Sequence, residues 1–578
     1  MKRLLDILSE ELKQAFGAAG YGTDRISVTV SNRPDLCEYQ CNGAMALAKE
    51  AHKAPYDIAM EVVEKLGGSK TFSKAECVKP GFINLNISDD FLARYISDEA
   101  GEEKFGYEAG SGEKVVVDYG GPNVAKPLHI GHLRAAIIGE AVKRISRFTG
   151  NDTLGDIHMG DWGLQMGLII ALMKEEGMDR MPTLEELSRI YPEASERSKQ
   201  DEAFKEKAMD ITNELQHGNE EYTAIWRHIM DISVSDLKEN YRRLNVSFEI
   251  WKGESDADPY IAPMVSDMKE KGFAHESQGA LVVDVGEEGD SKEIPPCMIL
   301  KSDGAALYTT TDLATLVQRE QDYQPDKVIY VVDKRQDLHF VQVFRAAKKC
   351  GIVPKETDLQ FLGFGTMNGK DGKPFKTRSG GVMKLQMLID DVYDRCYERM
   401  KENGAEMPEE ELKDTAAKIA LAAIKYGDLS NEARKDYVFD IDKFTSFEGN
   451  TGPYILYTIV RIKSILRKYQ ENNSEAAFDD MKSYKILPPG NDAEKNLMMT
   501  LAGFAPMIEG AWRELAPHRI CAYIYQTAND FNKFYHETRI ISEEDKDRQQ
   551  SWIALLILTK GILETCIDLL GFEAPEMM

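Results

Sequence analysis

The apolar positions of this chain keep three different rhythms, and the changes between them divide it. Residues 1 to about 110 mix helix-spaced and alternating segments, ending in GFINLNISDDFLARYI, where Phe82, Ile83, Leu85 and Ile87 predict a short strand ahead of a helix. That reads as a small α/β domain, closed by a connection rich in glycine and charge over residues 101–114. The β-branched run Val115, Val116, Val117 then leads through Gly120, Gly121 and Pro122 into a helical pattern over 131–148. Further apolar runs at 327–333 and 359–365 enclose a helical stretch at 340–349. This alternation predicts a parallel, doubly wound, Rossmann-like sheet within residues 111–400. Residues from about 175 to 300 read as an insertion into it, charged and helical in period to about Asn245. From Glu409 the strand signal stops. Helix-spaced segments at 416–426, 454–469, 496–515, 520–535 and 551–570 predict an α-helical bundle within residues 401–578, with 471–492 as a loop between its helices. The expected fold class is multidomain, α/β plus all-α.

Composition narrows the function classes. The chain of 578 residues has room for roughly four domains, which excludes a peptide hormone or a lone binding module. Asp and Glu number 97 against 71 Lys and Arg, a net charge of −26, so any nucleic-acid contact must use a local basic strip. Hydrophobic residues at 43% and charged residues at 29% exclude wholesale disorder. Eight scattered cysteines write neither a disulfide framework nor a CxxC zinc pair, so no structural zinc and no protein-bound metal is expected. The N-terminal MKRLLDILSEELKQAF is broken by Asp6, Glu10 and Glu11 and reads as an amphipathic helix rather than a signal peptide. The apolar run 552–558 falls far short of the ~20 residues that span a membrane. A cytoplasmic enzyme is the expectation.

Two local patterns carry chemistry. In VVVDYGGPNVAKPLHIGHLRAAIIGEAVKRI, a strand and a Gly/Pro loop precede a helix opening with His129, Ile130, Gly131 and His132. Amides at a helix N-terminus attract anions, Gly131 leaves room for close approach, and two imidazoles can donate to a polyphosphate. In GKPFKTRSGG, Lys373, Lys376 and Arg378 lie among glycines directly after a predicted strand. Such a loop would neutralise the charge that builds on a triphosphate as pyrophosphate leaves. Taken singly, the histidines could cap a helix and the cations could decorate a solvated turn; together they point to an ATP site.

With both patterns in place, the chain resembles the class I aminoacyl-tRNA synthetases, whose paired signature is HIGH followed by a KMSKS-like loop. PNVAKPLHIGHLR, GDWGLQMG, YTTTDLA and EGNTGPYILYTIVRI resemble the arginyl-tRNA synthetases in particular, and YQCNGAMALAK with GFINLNI resembles that family's additional N-terminal domain. The likeness covers essentially the whole chain. It implies a tRNA-contacting additional domain over 1–110, a class I catalytic domain over 111–400, and a stem-contact and anticodon-binding helical domain over 401–578. It further implies an enzyme that activates L-arginine with ATP and Mg2+. The arginyl group then passes to the terminal adenosine of tRNA(Arg), with release of AMP and pyrophosphate. A monomer whose adenylate formation needs bound tRNA would fit the family. Two departures stand out: Arg378 takes the place of the second KMSKS lysine, which the resemblance implies Lys126 partly supplies, and the sequence closes with PEMM where the family often has an arginine before the last methionine.

A guanidinium is planar and always charged, and it needs carboxylates and fixed acceptors around it. By resemblance, Asp118, Asn123, Glu254, Tyr308, Asp312 and Gln336 line the arginine pocket. Asp118, Glu254 and Asp312 are expected toward the cation, and Asn123 and Gln336 toward the amino-acid end. Tyr308 and Asp312, four apart, would share a helix face. Catalysis falls to Lys126, His129, Gly131, His132, Lys376 and Arg378; the two histidines also bind ATP together with Lys373, Lys376 and Arg378. His158 and His339 stand between ATP contacts and structural roles. Most aromatics of the helical domain read as core, but Tyr457 beside Arg461, Lys463, Arg467 and Lys468 suits stacking of unpaired bases. By resemblance to the family's helical anticodon domain, Tyr457, Arg461 and Met578 are expected to touch tRNA. Two other readings compete: a nucleotidyltransferase that adenylates a small acid without RNA, and a synthetase-derived tRNA-binding protein without catalysis.

Overall fold

The computed structural model describes residues 1–110, 112–373, 383–402, 407–473 and 481–578. At the N-terminus, β1 (Val28–Val30), β2 (Tyr39–Cys41), β3 (Phe72–Val78) and β4 (Phe82–Ile87) form an antiparallel sheet in the order β1-β2-β4-β3. Leu8, Leu12 and Phe16, spaced i, i+4 on the Leu4–Ala18 helix, share one core with Ile83, Leu85 and Ile87 of β4.

The middle of the chain lays down β5 (Lys114–Tyr119), β6 (Asp152–Met159) and β7 (Ile250–Gly253). A small antiparallel sheet follows, of β8 (Ala274–Ser277), β9 (Ala280–Val283) and β10 (Cys297–Leu300), and then come β11 (Lys327–Asp333) and β12 (Asp358–Phe364). The main sheet runs β12-β11-β5-β6-β7 with every pair parallel. Its order therefore reverses between β5 and β11, and in doubly wound sheets ligands settle beyond the C-terminal strand ends at that point. Period-two alternation sorts the faces of β5. Val115, Val117 and Tyr119 join the core that holds the Ile130–Phe148 helix, whereas Val116 packs with Leu313, Val328 and Phe340 on the other side, the side that Asp118 shares. Gly139 lets the helix close on β5, since a Cβ there would lie 2.2 Å from Tyr119 Cγ.

Periodicity missed β6 because Asp152, Asp156 and His158 interrupt its apolar run. It missed β8–β10 because each is four residues long in charged surroundings. Among the described residues of the C-terminal region the longer helices are Glu409–Leu429, Gly452–Asn472, Asp492–Leu501, Phe504–Arg513, Pro517–Glu537 and Lys546–Leu569. The segment expected as one helix over 496–515 is broken at Ala502 and Gly503, where Pro506 in the next first turn has no N–H to continue the ladder. A two-residue pairing also survives beyond Glu409, β13 (Met367–Asn368) against β14 (Tyr437–Val438). Among the described residues no helix is long and apolar enough to cross a membrane.

Charge pairs cross between the parts, which also share one apolar core. Lys495 pairs with Glu38 and Asp89 of the N-terminal region at 2.8 and 3.0 Å. Buried Arg134, on the Ile130–Phe148 helix, donates to Asp428 at 2.9 Å and to the Gly365 carbonyl at 2.8 Å. Lys425, fully buried in the same joint, donates to the Asn245 carbonyl at 3.1 Å.

Candidate active site

The loop leaving β5 is pinned to the end of β6. Gly160 N donates to the Pro122 carbonyl (3.1 Å) and Val124 N to the Gly160 carbonyl (3.0 Å). A Cβ on Gly160 would fall 2.2 Å from Asn123 Oδ1, so the glycine is what admits the asparagine. His129 then caps the helix: its Nδ1 accepts from Gly131 N at 3.0 Å, and His132 Nδ1 accepts from His129 N at 3.1 Å. A ring nitrogen that accepts is unprotonated, so both imidazoles are neutral and carry their proton on Nε2. The electrostatics agree. Burial and then Lys126 lower the His129 pKa, and burial, His129 and Lys126 drive His132 down to about 3. The pair, its rings 3.9 Å apart, therefore offers two neutral Nε2–H donors, and the positive charge here comes from exposed Lys126. Gly131 is required for this cap, because a Cβ would lie 2.7 Å from His129 Cε1.

Lys376 and Arg378 lie outside the described residues. The chain that follows them is already at the histidines: Ile130 N donates to the Met383 carbonyl at 3.1 Å, and Leu385 N to the Leu128 carbonyl at 2.9 Å. Lys373, on the other flank, is exposed, with its N–H donated to Asp371 at 3.1 Å.

The residues expected around arginine gather at the C-terminal strand ends. Glu254 is the first residue of the Glu254–Glu270 helix, directly after β7. Its nearest charges are carboxylates, so burial first, then Asp161, and then Asp312 lift its pKa to about 7, against a backbone hydrogen bond from Trp162. Tyr308 opens the Tyr308–Asp322 helix, is 78% exposed, and lies close enough to Glu254 to have its own pKa raised by burial and then by that charge. Asp312, one turn along, accepts from His339 Nε2 at 2.5 Å. Gln336 ends the short turn after β11, exposed.

Asp118 is partly spent internally. Its carboxylate accepts from Arg319, a buried guanidinium that also donates to Asp156 at 2.6 and 2.9 Å and to the Tyr330 hydroxyl at 3.0 Å. His158 Nε2 donates to Thr315 Oγ1 at 3.2 Å, which leaves its buried Nδ1 without a partner among the described residues. Sequence reasoning missed Arg319. A signal existed: Tyr308, Asp312, Thr315 and Arg319 recur at i, i+4, i+7 and i+11, a polar stripe on one helix face. It also gave Asp161 and Tyr191 no role, yet the Tyr191 ring lies 5.9 Å from Lys126 Nζ.

Far from these strand ends, Tyr457, Arg461 and Met578 line a single cleft of about 700 Å³ together with Arg467, Lys468 and Arg539. Arg461 sits between two aromatic faces, 4.8 Å from the Tyr457 ring centroid and 5.4 Å from that of Tyr535, and donates to Asn532 Oδ1.

A doubly wound parallel sheet with a histidine-capped helix at its switch point, hydrogen-bonded to the segment Met383–Leu385, defines a class I aminoacyl-tRNA synthetase. Residues 99–441 match the family model of the class I (R) tRNA synthetase catalytic domain, 455–578 that of the DALR anticodon binding domain, and 2–87 that of the arginyl tRNA synthetase N terminal domain. The chain is 57% identical to the arginine–tRNA ligase of Agathobacter rectalis and 51% identical to that of Alkaliphilus oremlandii, each alignment covering 100% of both chains. It belongs to the arginyl-tRNA synthetase family. Its fold superposes on the crystal structure of arginyl-tRNA synthetase from Plasmodium falciparum with a TM-score of 0.81 at 24% identity, covering 100% of both chains.

Proposed function

We propose that the chain is an arginine–tRNA ligase whose arginine pocket lies at the C-terminal edge of the main sheet. The observation that carries this reading is Glu254: a half-buried carboxylate at a strand end whose charged neighbours are two more carboxylates, Asp161 and Asp312. Such a cluster is costly when empty and is relieved by a permanent cation.

In this mechanism the arginine carboxylate attacks the α-phosphate of ATP, pyrophosphate leaves, and the arginyl-adenylate acylates the 2'-hydroxyl of the terminal adenosine of tRNA(Arg). The substrate carboxylate is already nucleophilic, so catalysis consists of placement and charge stabilisation. His129 and His132 donate from Nε2 to the phosphates, Lys126 supplies charge beside them, and Lys373, Lys376 and Arg378 add theirs as pyrophosphate departs. Glu254 and Asp312 take the guanidinium, with Tyr308 over it; Asp118 contributes its remaining acceptor, and Asn123 and Gln336 hold the amino-acid end. His339 orients Asp312, and His158 serves the wall between pocket and nucleotide. Mg2+ enters with ATP. Tyr457, Arg461 and Met578 meet tRNA in the basic cleft, residues 1–110 touch it from the other side, and the protein works as a cytoplasmic monomer.

The test is ATP–pyrophosphate exchange across the twenty amino acids with and without total tRNA. Exchange for arginine alone, and only with tRNA, is expected. Exchange for another acid, or without tRNA, overturns the specificity or the coupling, and silence throughout favours an RNA-binding protein without catalysis.

A further inference from the structure

Gly253 stands at the N-cap of the Glu254–Glu270 helix, so the residue in the capping position has no side chain to offer. A carboxylate from elsewhere takes over. Asp161, 94 residues earlier, accepts from Ser255 N at 3.0 Å through Oδ1 and from Ser255 Oγ at 2.6 Å through Oδ2, and it is 0% exposed. The glycine makes room for it, because a Cβ at position 253 would lie 2.5 Å from Asp161 Oδ1. The next residue bears on the substrate side: the Trp162 backbone N–H faces the Glu254 carboxylate and favours its charged form. The Trp162 ring packs edge-on against Trp226 at 5.2 Å, and Trp226 Nε1 donates to the Asp161 carbonyl at 3.0 Å. One dipeptide thus holds the helix start with one residue and faces the Glu254 side chain with the other.

We propose that Asp161 is the positioning residue of the arginine pocket: by capping in trans the helix that begins with Glu254, it aims that carboxylate at the guanidinium. The proposal rests on the reading that Glu254 receives the guanidinium. A serine or asparagine at position 253 would cap this helix without burying a carboxyl group, whereas burial raises the Asp161 pKa and the bonds from Ser255 lower it only in part. The buried charge does what a neutral cap would not. It presses on Glu254 together with Asp312, and Tyr308 in turn feels the charge of Glu254. With its pKa lifted to about 7, Glu254 in the empty pocket is half-protonated near neutrality, and arginine enters by driving that proton off. The sign follows. Protonation removes the acceptor charge, so the arginine KM of the wild type rises as pH falls below about 7 and levels off above it.

Three variants test this in steady-state aminoacylation with arginine and ATP varied separately between about pH 6 and pH 8. Glu254→Gln is expected to raise the arginine KM on the order of 10²-fold and to flatten its pH profile. Asp161→Asn keeps the shape but neither the paired acceptors nor the charge. It should raise the arginine KM about tenfold, leave the ATP KM within about twofold, and move the inflection to lower pH. Ser255→Ala keeps the Asp161 charge and loses one bond; a smaller rise, about threefold, with the inflection unmoved, is expected. An Asp161→Asn arginine KM and inflection like the wild type, beside a raised KM in Glu254→Gln, overturns the positioning role and leaves the pocket intact. An unchanged KM in Glu254→Gln overturns the pocket reading beneath it. If thermal unfolding shows Asp161→Asn to be unfolded, Ser255→Ala decides: an arginine KM equal to the wild type refutes the proposal.

Discussion

At the residue scale, the HIGH helix start works by steric economy. His129 can accept from the amide two residues on only because nothing protrudes from Gly131. Gly131→Ala should tilt the imidazole off its cap and displace Nε2–H from the phosphates. We expect kcat of pyrophosphate exchange to fall on the order of 10²-fold with the arginine KM little changed; full activity would mean that His129 donates nothing. The neutrality of the pair carries a second expectation. With His132 held down to about 3, ATP-side kinetics should show no histidine inflection between about pH 5.5 and 8, where an ordinary imidazole titrates. These caps were legible in sequence because their partners lie within one turn. Arg319 was not, since it meets Asp118 across 201 residues and no local spacing writes such a pairing. Removing one partner from that buried group would leave charge unpaired, a loss of about 3–5 kcal/mol.

At the element scale, part of what carries the family resemblance is packing. EGNTGPYILYTIVRI starts the Gly452–Asn472 helix, capped by Thr451 with Pro453 in its first turn. A Cβ on Gly452 would stand 2.3 Å from the Ala422 carbonyl oxygen and 2.5 Å from its carbon, and backbone cannot swing aside. Gly452→Ala should therefore destabilise by about 1–3 kcal/mol through overpacking, seen as a lower thermal midpoint. Because this helix lines the basic cleft, the same variant should weaken tRNA more than arginine. Strands β5, β11 and β12 were readable because both of their faces are apolar over most of their length. β6 was not, for its polar Asp156 and His158 serve Arg319 and Thr315. Functional polarity is what disguised the strand.

At the scale of the molecule, an acidic protein must collect an acidic polymer. The net charge of −26 repels nucleic acid generally, while Arg461, Arg467, Lys468 and Arg539 converge on one cleft. Tyr457→Ala should raise the tRNA KM about 5- to 50-fold, the worth of one stacked base, and leave kcat at saturating tRNA nearly unchanged. Arg461→Ala should in addition flatten the salt dependence of binding; equal losses in kcat would place both residues in folding instead. The Arg134–Asp428 pair joins this helical region to the HIGH helix. The bonds that join Leu128 and Ile130 to Met383 and Leu385 have a consequence for ancestry. They clasp the ends of about 250 residues, and the entropy of closing such a loop rises by only about 0.6 kcal/mol for each doubling of its length. Whatever is added between the clasped ends, whether the helices over 184–243 or the small sheet β8–β10, leaves the meeting of the HIGH helix with Met383 and Leu385 almost untouched. Lineages can therefore lengthen the protein here at little thermodynamic risk, and ornament is expected to accumulate inside the clasp rather than across it.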